Sequence, residues 1–252
     1  MRGVRALIEK SAPGKLTRSG KFSCFRERNL NNRPIGPKLR GVTKLLSQRV
    51  FSSATLPTTS SWRGGAWKGV GGGLRRGKAV DSQVSRLSKL SVAARAKAKM
   101  LKLTRLTFNA LSYHKLVPVG SQRVVIDSRR RVGTAVDVVC TRGEHELVLV
   151  ELKTGFAGNR SACVGTKMQA PLHKAKDCNL HRHFSQLAAT LHLFELETDT
   201  LNKLLAKKVD AVSACVLYVD GDLSEKFDLP LWWRRRGGQI VDRISSECAK
   251  GK

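Results

Sequence analysis

Of the 47 Lys and Arg residues in this 252-residue chain, 30 precede position 137, where they face only 4 Asp and Glu. From position 137 onward the balance is 17 against 15. A segment with so much like charge, rich in Arg, Lys, Ser and Gly, gains too little from apolar burial to offset the entropy of ordering. The expectation for residues 1–82 is therefore a basic, largely disordered region. Residues 83–252 carry apolar runs and become nearly neutral, and they are long enough to bury a single core as one folded domain. The excess positive charge suits a polyanion, because Lys and Arg that neutralise phosphates release condensed counterions and attract nucleic acid of any sequence. A solvated or targeting segment shares that composition.

The N-terminal residues 1–80 hold only Glu9 and Glu27 as acids, the composition of an organellar transit sequence, and Arg49-Val50-Phe51-Ser52-Ser53 has the form of a presequence cleavage site. A DNA-binding arm or nuclear-import tail would look the same, so the expected location is intracellular, nucleus or mitochondrion. The chain has no run of eighteen apolar residues, so no membrane span is expected. Six scattered cysteines without a CxxC pair suggest free thiols in a reducing compartment. Cys178, His181 and His183 lie close together, but a structural zinc site needs a second ligand pair, which is missing.

Residues 57–78 are Gly-rich and basic, with Trp62 and Trp67 interspersed, and read as a flexible linker. Gly72 to Lys78 matches the start of a phosphate-binding loop. Ala79 stands where a hydroxyl residue is needed and no apolar strand precedes it, so nucleotide binding is rejected. Apolar residues spaced through 82–113 predict one or two basic helices. The runs 116–119, 123–127, 134–141 and 147–153 are β-branched or apolar and separated by turn formers, which predicts a meander of strands. A helix is expected over about 180–196, capped by Asn179 or Asp177, with a second helical stretch at 198–208. A further strand is expected at 209–219. Strands, then a helix, then a returning strand make an α/β fold with a mixed sheet flanked by helices.

Asp137 interrupts the apolar run Thr134-Ala135-Val136-Asp137-Val138-Val139-Cys140, and a carboxylate there is costly to bury unless it is paired or binds a metal. The next strand ends Val148-Leu149-Val150-Glu151-Leu152-Lys153-Thr154-Gly155. Alternation puts Glu151 and Lys153 on one face. If the two strands form a hairpin, Asp137 converges on Glu151, and the two carboxylates with the Leu152 carbonyl offer oxygen ligands to a hard divalent ion. Lys153 then orients a water or offsets charge in the transition state. The structural alternative is an ion pair between Glu151 and Lys153 on an edge strand, with Asp137 ending a buried one.

These two strand motifs, with Gln186-Leu187 and Phe194 on the later helix, resemble the core of the PD-(D/E)XK nuclease superfamily, particularly its RecB-like and lambda-exonuclease-like members. The resemblance spans roughly residues 116–220. It implies a restriction-endonuclease-like α/β/α core, Mg2+ or Mn2+ as cofactor, and exonuclease-like hydrolysis of DNA phosphodiester bonds, single- or double-stranded, in repair, recombination or genome processing. It also implies a supporting role for Gln186, toward the lysine or the attacking water. His183 and Thr190 share the face of Gln186. RecB-like members often add a His or Glu upstream; here only His114 and Asp127 are at hand, His114 being better placed. Near the C-terminus, Trp232-Trp233-Arg234-Arg235-Arg236 joins stacking surfaces to charge, as single-stranded nucleic acid favours, or else forms a last strand that buries one Trp. The competing function is a basic nucleic-acid-binding protein without catalysis.

Overall fold

The alternating apolar runs assemble into a single mixed sheet. The computed structural model describes residues 24–28, 34–52, 72–155, 161, 163–205 and 211–246. Strands β1 (Cys24–Arg28) and β2 (Pro34–Gly41) lead into helix α1 (Val42–Arg49). Helices α2 (Gly72–Leu87), α3 (Val92–Ala96) and α4 (Lys102–Tyr113) precede β3 (Val117–Asp127), β4 (Val132–Arg142) and β5 (Glu146–Thr154). A small antiparallel pair, β6 (Cys163–Lys167) and β7 (Lys176–Cys178), comes next, followed by the long helix α5 (Asn179–Leu205). Strands β8 (Ala211–Asp220) and β9 (Leu223–Asp228) and helices α6 (Leu231–Arg234) and α7 (Gly237–Ser245) complete the fold.

The main sheet runs β1-β2-β4-β5-β8-β9, with β3 paired to β4. β4–β5 and β8–β9 are antiparallel, whereas β5–β8 is parallel and needs the α5 crossover. Alternation along β5 divides the core. Leu147 and Leu149 pack with α1, α5 and α7 on one face; Val148, Val150 and Leu152 pack with α2 and α4 on the other. The α/β class with a mixed sheet thus matches the reading of the sequence. No helix among the described residues is long and apolar enough to cross a membrane.

Three expectations are corrected. The basic region 1–82 is not disordered throughout. Val42, Leu45 and Leu46 at helical spacing, with Val50 and Phe51, are buried in the main core, and β2 pairs with β4. The charge averaged over the whole segment hid this short amphipathic helix. Arg49 to Ser52 consequently belongs to the fold rather than to an exposed cleavage site: Arg49 Nη1 donates to the Ile244 carbonyl, and Ser52 donates twice to Asp177. Of the linker expected over 57–78, residues 72–78 instead begin α2, and 57–71 lie outside the described residues.

The strands 116–119 and 123–127 are one strand with a bulge, since its register to β4 shifts between Pro118 and Gly120. The helices predicted at 180–196 and 198–208 run together as α5 up to Leu205, and 206–208 lie outside the described residues. The Trp pair lies on a helical turn, not a strand. Trp233 is buried against Phe184 and His181, and Arg236 stacks 3.8 Å over the face of Trp232. Neither ring is a bare stacking platform, because the core takes one and an arginine covers the other.

Candidate active site

Strand β3 covers one edge of β4 from Val132 to Thr141, so β2 and β5 must share the other. β2 reaches only Val132 and Gly133, and β5 bonds β4 only from Val138 to Arg142. Residues 134–137 therefore border a gap. Asp137 stands at its upper end, where the next rung with Glu151 does not form. In place of that rung, Asp137 Oδ2 accepts the Leu152 N–H at 2.9 Å. The N–H and C=O of one strand residue point to the same side, so the Leu152 carbonyl opens into the gap as well.

Beyond the last rung with β4, β5 stays paired with β8 through Thr154. Glu151 is buried, with a side chain only 2% exposed, and its Oε1 lies 2.5 Å from Lys153 Nζ. The same oxygen accepts Gln186 Nε2 from α5 at 2.7 Å. From β3, on the other edge of β4, Gln122 Nε2 points at Asp137 Oδ1 from 3.5 Å, a long contact. Gln122 has φ +50°, a left-handed conformation rare for a side-chain-bearing residue inside a strand.

Helix α2 adds a third carboxyl. Asp81 has its pKa pushed up to about 6, through burial first, with Lys153 lowering it and Glu151 raising it. Asp137 is raised well above the usual carboxylate range by burial and by the charge of Glu151, against the pull of Lys153. Burial works against the Lys153 ammonium, but Glu151, Asp137 and Asp81 outweigh it and hold its pKa above the ordinary value. Three acids thus surround one ammonium in partly buried surroundings. His183 sits nearby with Nδ1 2.7 Å from the Tyr218 hydroxyl. Burial, with the charges of Lys153 and Arg182, pushes its pKa well down, so it stays neutral.

Asp137, Glu151, Lys153, Leu152 and Gln186 are therefore brought together as the sequence suggests. Thr190 is fully buried and donates to the Gln186 carbonyl, so it does not reach the gap. His114 feels Lys226, Asp228 and Arg142 at the other end of β5, and Asp127 binds Arg130 at a turn. The upstream acid that interacts with Lys153 and Glu151 is instead Asp81, which was not among the expected site residues although it is the sole acid between Glu27 and Asp127. The glycine after Lys153-Thr154 also has a structural cause: Gly155 has φ +84°, and a Cβ there would lie 1.7 Å from Arg76 Nη2.

Among the described residues, no three His, Cys, Asp or Glu side chains form a ready-made metal cage. No protein-family model matches the chain, and no curated protein sequence matches it.

Proposed function

We propose that the protein is a metal-dependent nuclease that hydrolyses DNA phosphodiester bonds at the gap between β4 and β5. The observation that carries this reading is the convergence of Asp137, Glu151 and Lys153 there, with Gln186 bonded to Glu151. The acids fit a divalent cation on charge and on donor type. Burial first, and the charge of Glu151 after it, raise the pKa of both Asp81 and Asp137 against the pull of Lys153, and a cation would favour their charged forms. The carboxylates and the Leu152 carbonyl offer oxygen donors, as hard ions such as Mg2+ or Mn2+ require. Asp137 and Glu151, with Asp81 and the Leu152 carbonyl, would hold the ion.

When bound, such an ion polarises the scissile phosphate and acidifies water. The chain supplies the rest. Lys153, kept charged by its acidic neighbours, neutralises charge that develops on the phosphate. Gln186 and Lys153 both bind Glu151 Oε1, which fixes the carboxylate and leaves Oε2 to face a ligand. Basic residues concentrated before position 137 attract the nucleic-acid backbone.

The test is hydrolysis of end-labelled single- and double-stranded DNA with Mg2+, Mn2+ or EDTA, beside Asp137→Ala and Lys153→Ala variants. Metal-dependent cleavage by the wild type, lost by at least about a hundredfold in each folded variant, is the expected outcome. DNA binding without cleavage by a well-folded wild type on every substrate would reject the enzyme in favour of a basic nucleic-acid-binding protein.

A further inference from the structure

Cys163 and Cys178 are direct partners across the antiparallel pair β6–β7. Opposed residues in such a ladder have Cα atoms about 4.5 or 5.5 Å apart and side chains on one face. Both values fall within the roughly 4.4–6.8 Å range of disulfides. The two thiols are free and differ in access: Cys163 is exposed, Cys178 is buried. We propose that Cys163 and Cys178 form a reversible disulfide by exchange with a small-molecule disulfide, stapling β6 to the start of α5.

The surroundings of Cys178 prepare it for that step. β7 runs directly into α5, so Cys178 sits just ahead of a helix N-terminus, where backbone N–H groups favour a thiolate. Burial raises its pKa, but hydrogen bonds from the His181 side chain and from the N–H groups of His181 and Leu180 outweigh burial and bring it below the ordinary thiol value. His181 Nδ1 lies 2.8 Å from the Lys176 carbonyl, which can only accept, so this nitrogen carries a proton. The imidazole is thereby fixed in orientation, and its contact with Cys178 raises its own pKa. The Cys163 sulfur accepts the Gly165 N–H at 3.3 Å and faces solvent.

The chemistry follows from this asymmetry. The exposed Cys163 attacks an incoming disulfide RSSR, forming Cys163–S–SR and releasing one thiol, RSH. The Cys178 thiolate, its proton taken up by His181, then attacks the Cys163 sulfur. The Cys163–SR bond breaks, the Cys163–Cys178 bond forms, and RS− leaves to take the proton back from His181. Two protein thiols are oxidised and one external disulfide is reduced. The buried Cys140 and Cys215, whose pKa values burial raises well above the ordinary thiol value, have no part in the exchange.

The experiment incubates the full chain in mixtures of oxidised and reduced glutathione, alkylates the remaining thiols, digests with trypsin and measures the peptides by mass spectrometry. The expected product joins peptide 161–167 to peptide 177–182, increases with the oxidised share, and disappears with dithiothreitol. Cys178→Ser should trap glutathione on Cys163, and His181→Ala should prolong the life of that mixed disulfide by about tenfold or more. A wild type that keeps its circular dichroism but leaves Cys163 unmodified, or holds glutathione on it without joining the two peptides, overturns the proposal. So does joining that occurs only in urea.

Discussion

Replacing Asp81 by Asn removes a carboxyl that the fold holds at a cost. The Asp81 pKa rises from 3.8 to about 6 on folding, so between those values the native chain binds a proton that the unfolded chain has released. Stability then falls as pH rises through this window, and above pH 6 the full penalty applies. About two pKa units correspond to roughly 3 kcal/mol, an upper bound that partial solvent access reduces to about 1–2 kcal/mol. In EDTA at pH 7.5, Asp81→Asn should therefore be more stable than the wild type by about 1–2 kcal/mol, or roughly 2–8 °C in melting temperature. The difference should close as pH is lowered toward 4. Divalent metal should reverse the order, because an ion bound by the native site stabilises the wild type by mass action and the variant has lost one ligand. Urea and thermal denaturation at pH 4 and 7.5, with EDTA or Mg2+, measure each term. A variant less stable than the wild type in EDTA at pH 7.5, or one stabilised equally by metal, would refute the placement of Asp81 among the site acids.

Cleavage should decline as pH falls below about 6, since protons compete with metal for Asp81 and Asp137; a pH–rate profile from 5 to 8 checks this, and a flat profile would exclude those acids as ligands. Leu46→Ala, at a fully buried position of α1, should cost about 2–5 kcal/mol in urea denaturation if the N-terminal helix belongs to the core. A cost near zero would mean that α1 does not pack. Gly155→Ala should lose about 1–2 kcal/mol from the left-handed backbone alone, with more from displacing the Arg76 guanidinium, read as a lower urea midpoint.

Much of the candidate site is legible along the chain because its signals are local. Glu151 and Lys153 share a face by strand periodicity, and their sulfur-free, apolar neighbours Val150 and Leu152 mark a buried strand. Gln186 stands on a helix whose apolar spacing is clear, but its partner is Glu151, where the resemblance implied the lysine or the attacking water. Less legible were α1 and the start of α2. In both, a few apolar positions decide burial while the abundant Lys and Arg dominate the average. The bulge in β3 was hidden for a different reason: Gly120-Ser121 reads as a turn, yet pairing with the long β4 keeps the strand extended through it.

The sequence by itself determined the alternation of the strands, the face shared by Glu151 and Lys153, and the presence of an acid within an apolar strand, because backbone geometry ties each to spacing over a few residues. Only the tertiary structure decided that β2 and β5 leave a gap along one edge of β4, and that Asp81 on a distant helix joins the acids there. Those outcomes depend on strand register and on packing between segments far apart in the chain, where no local period carries the information.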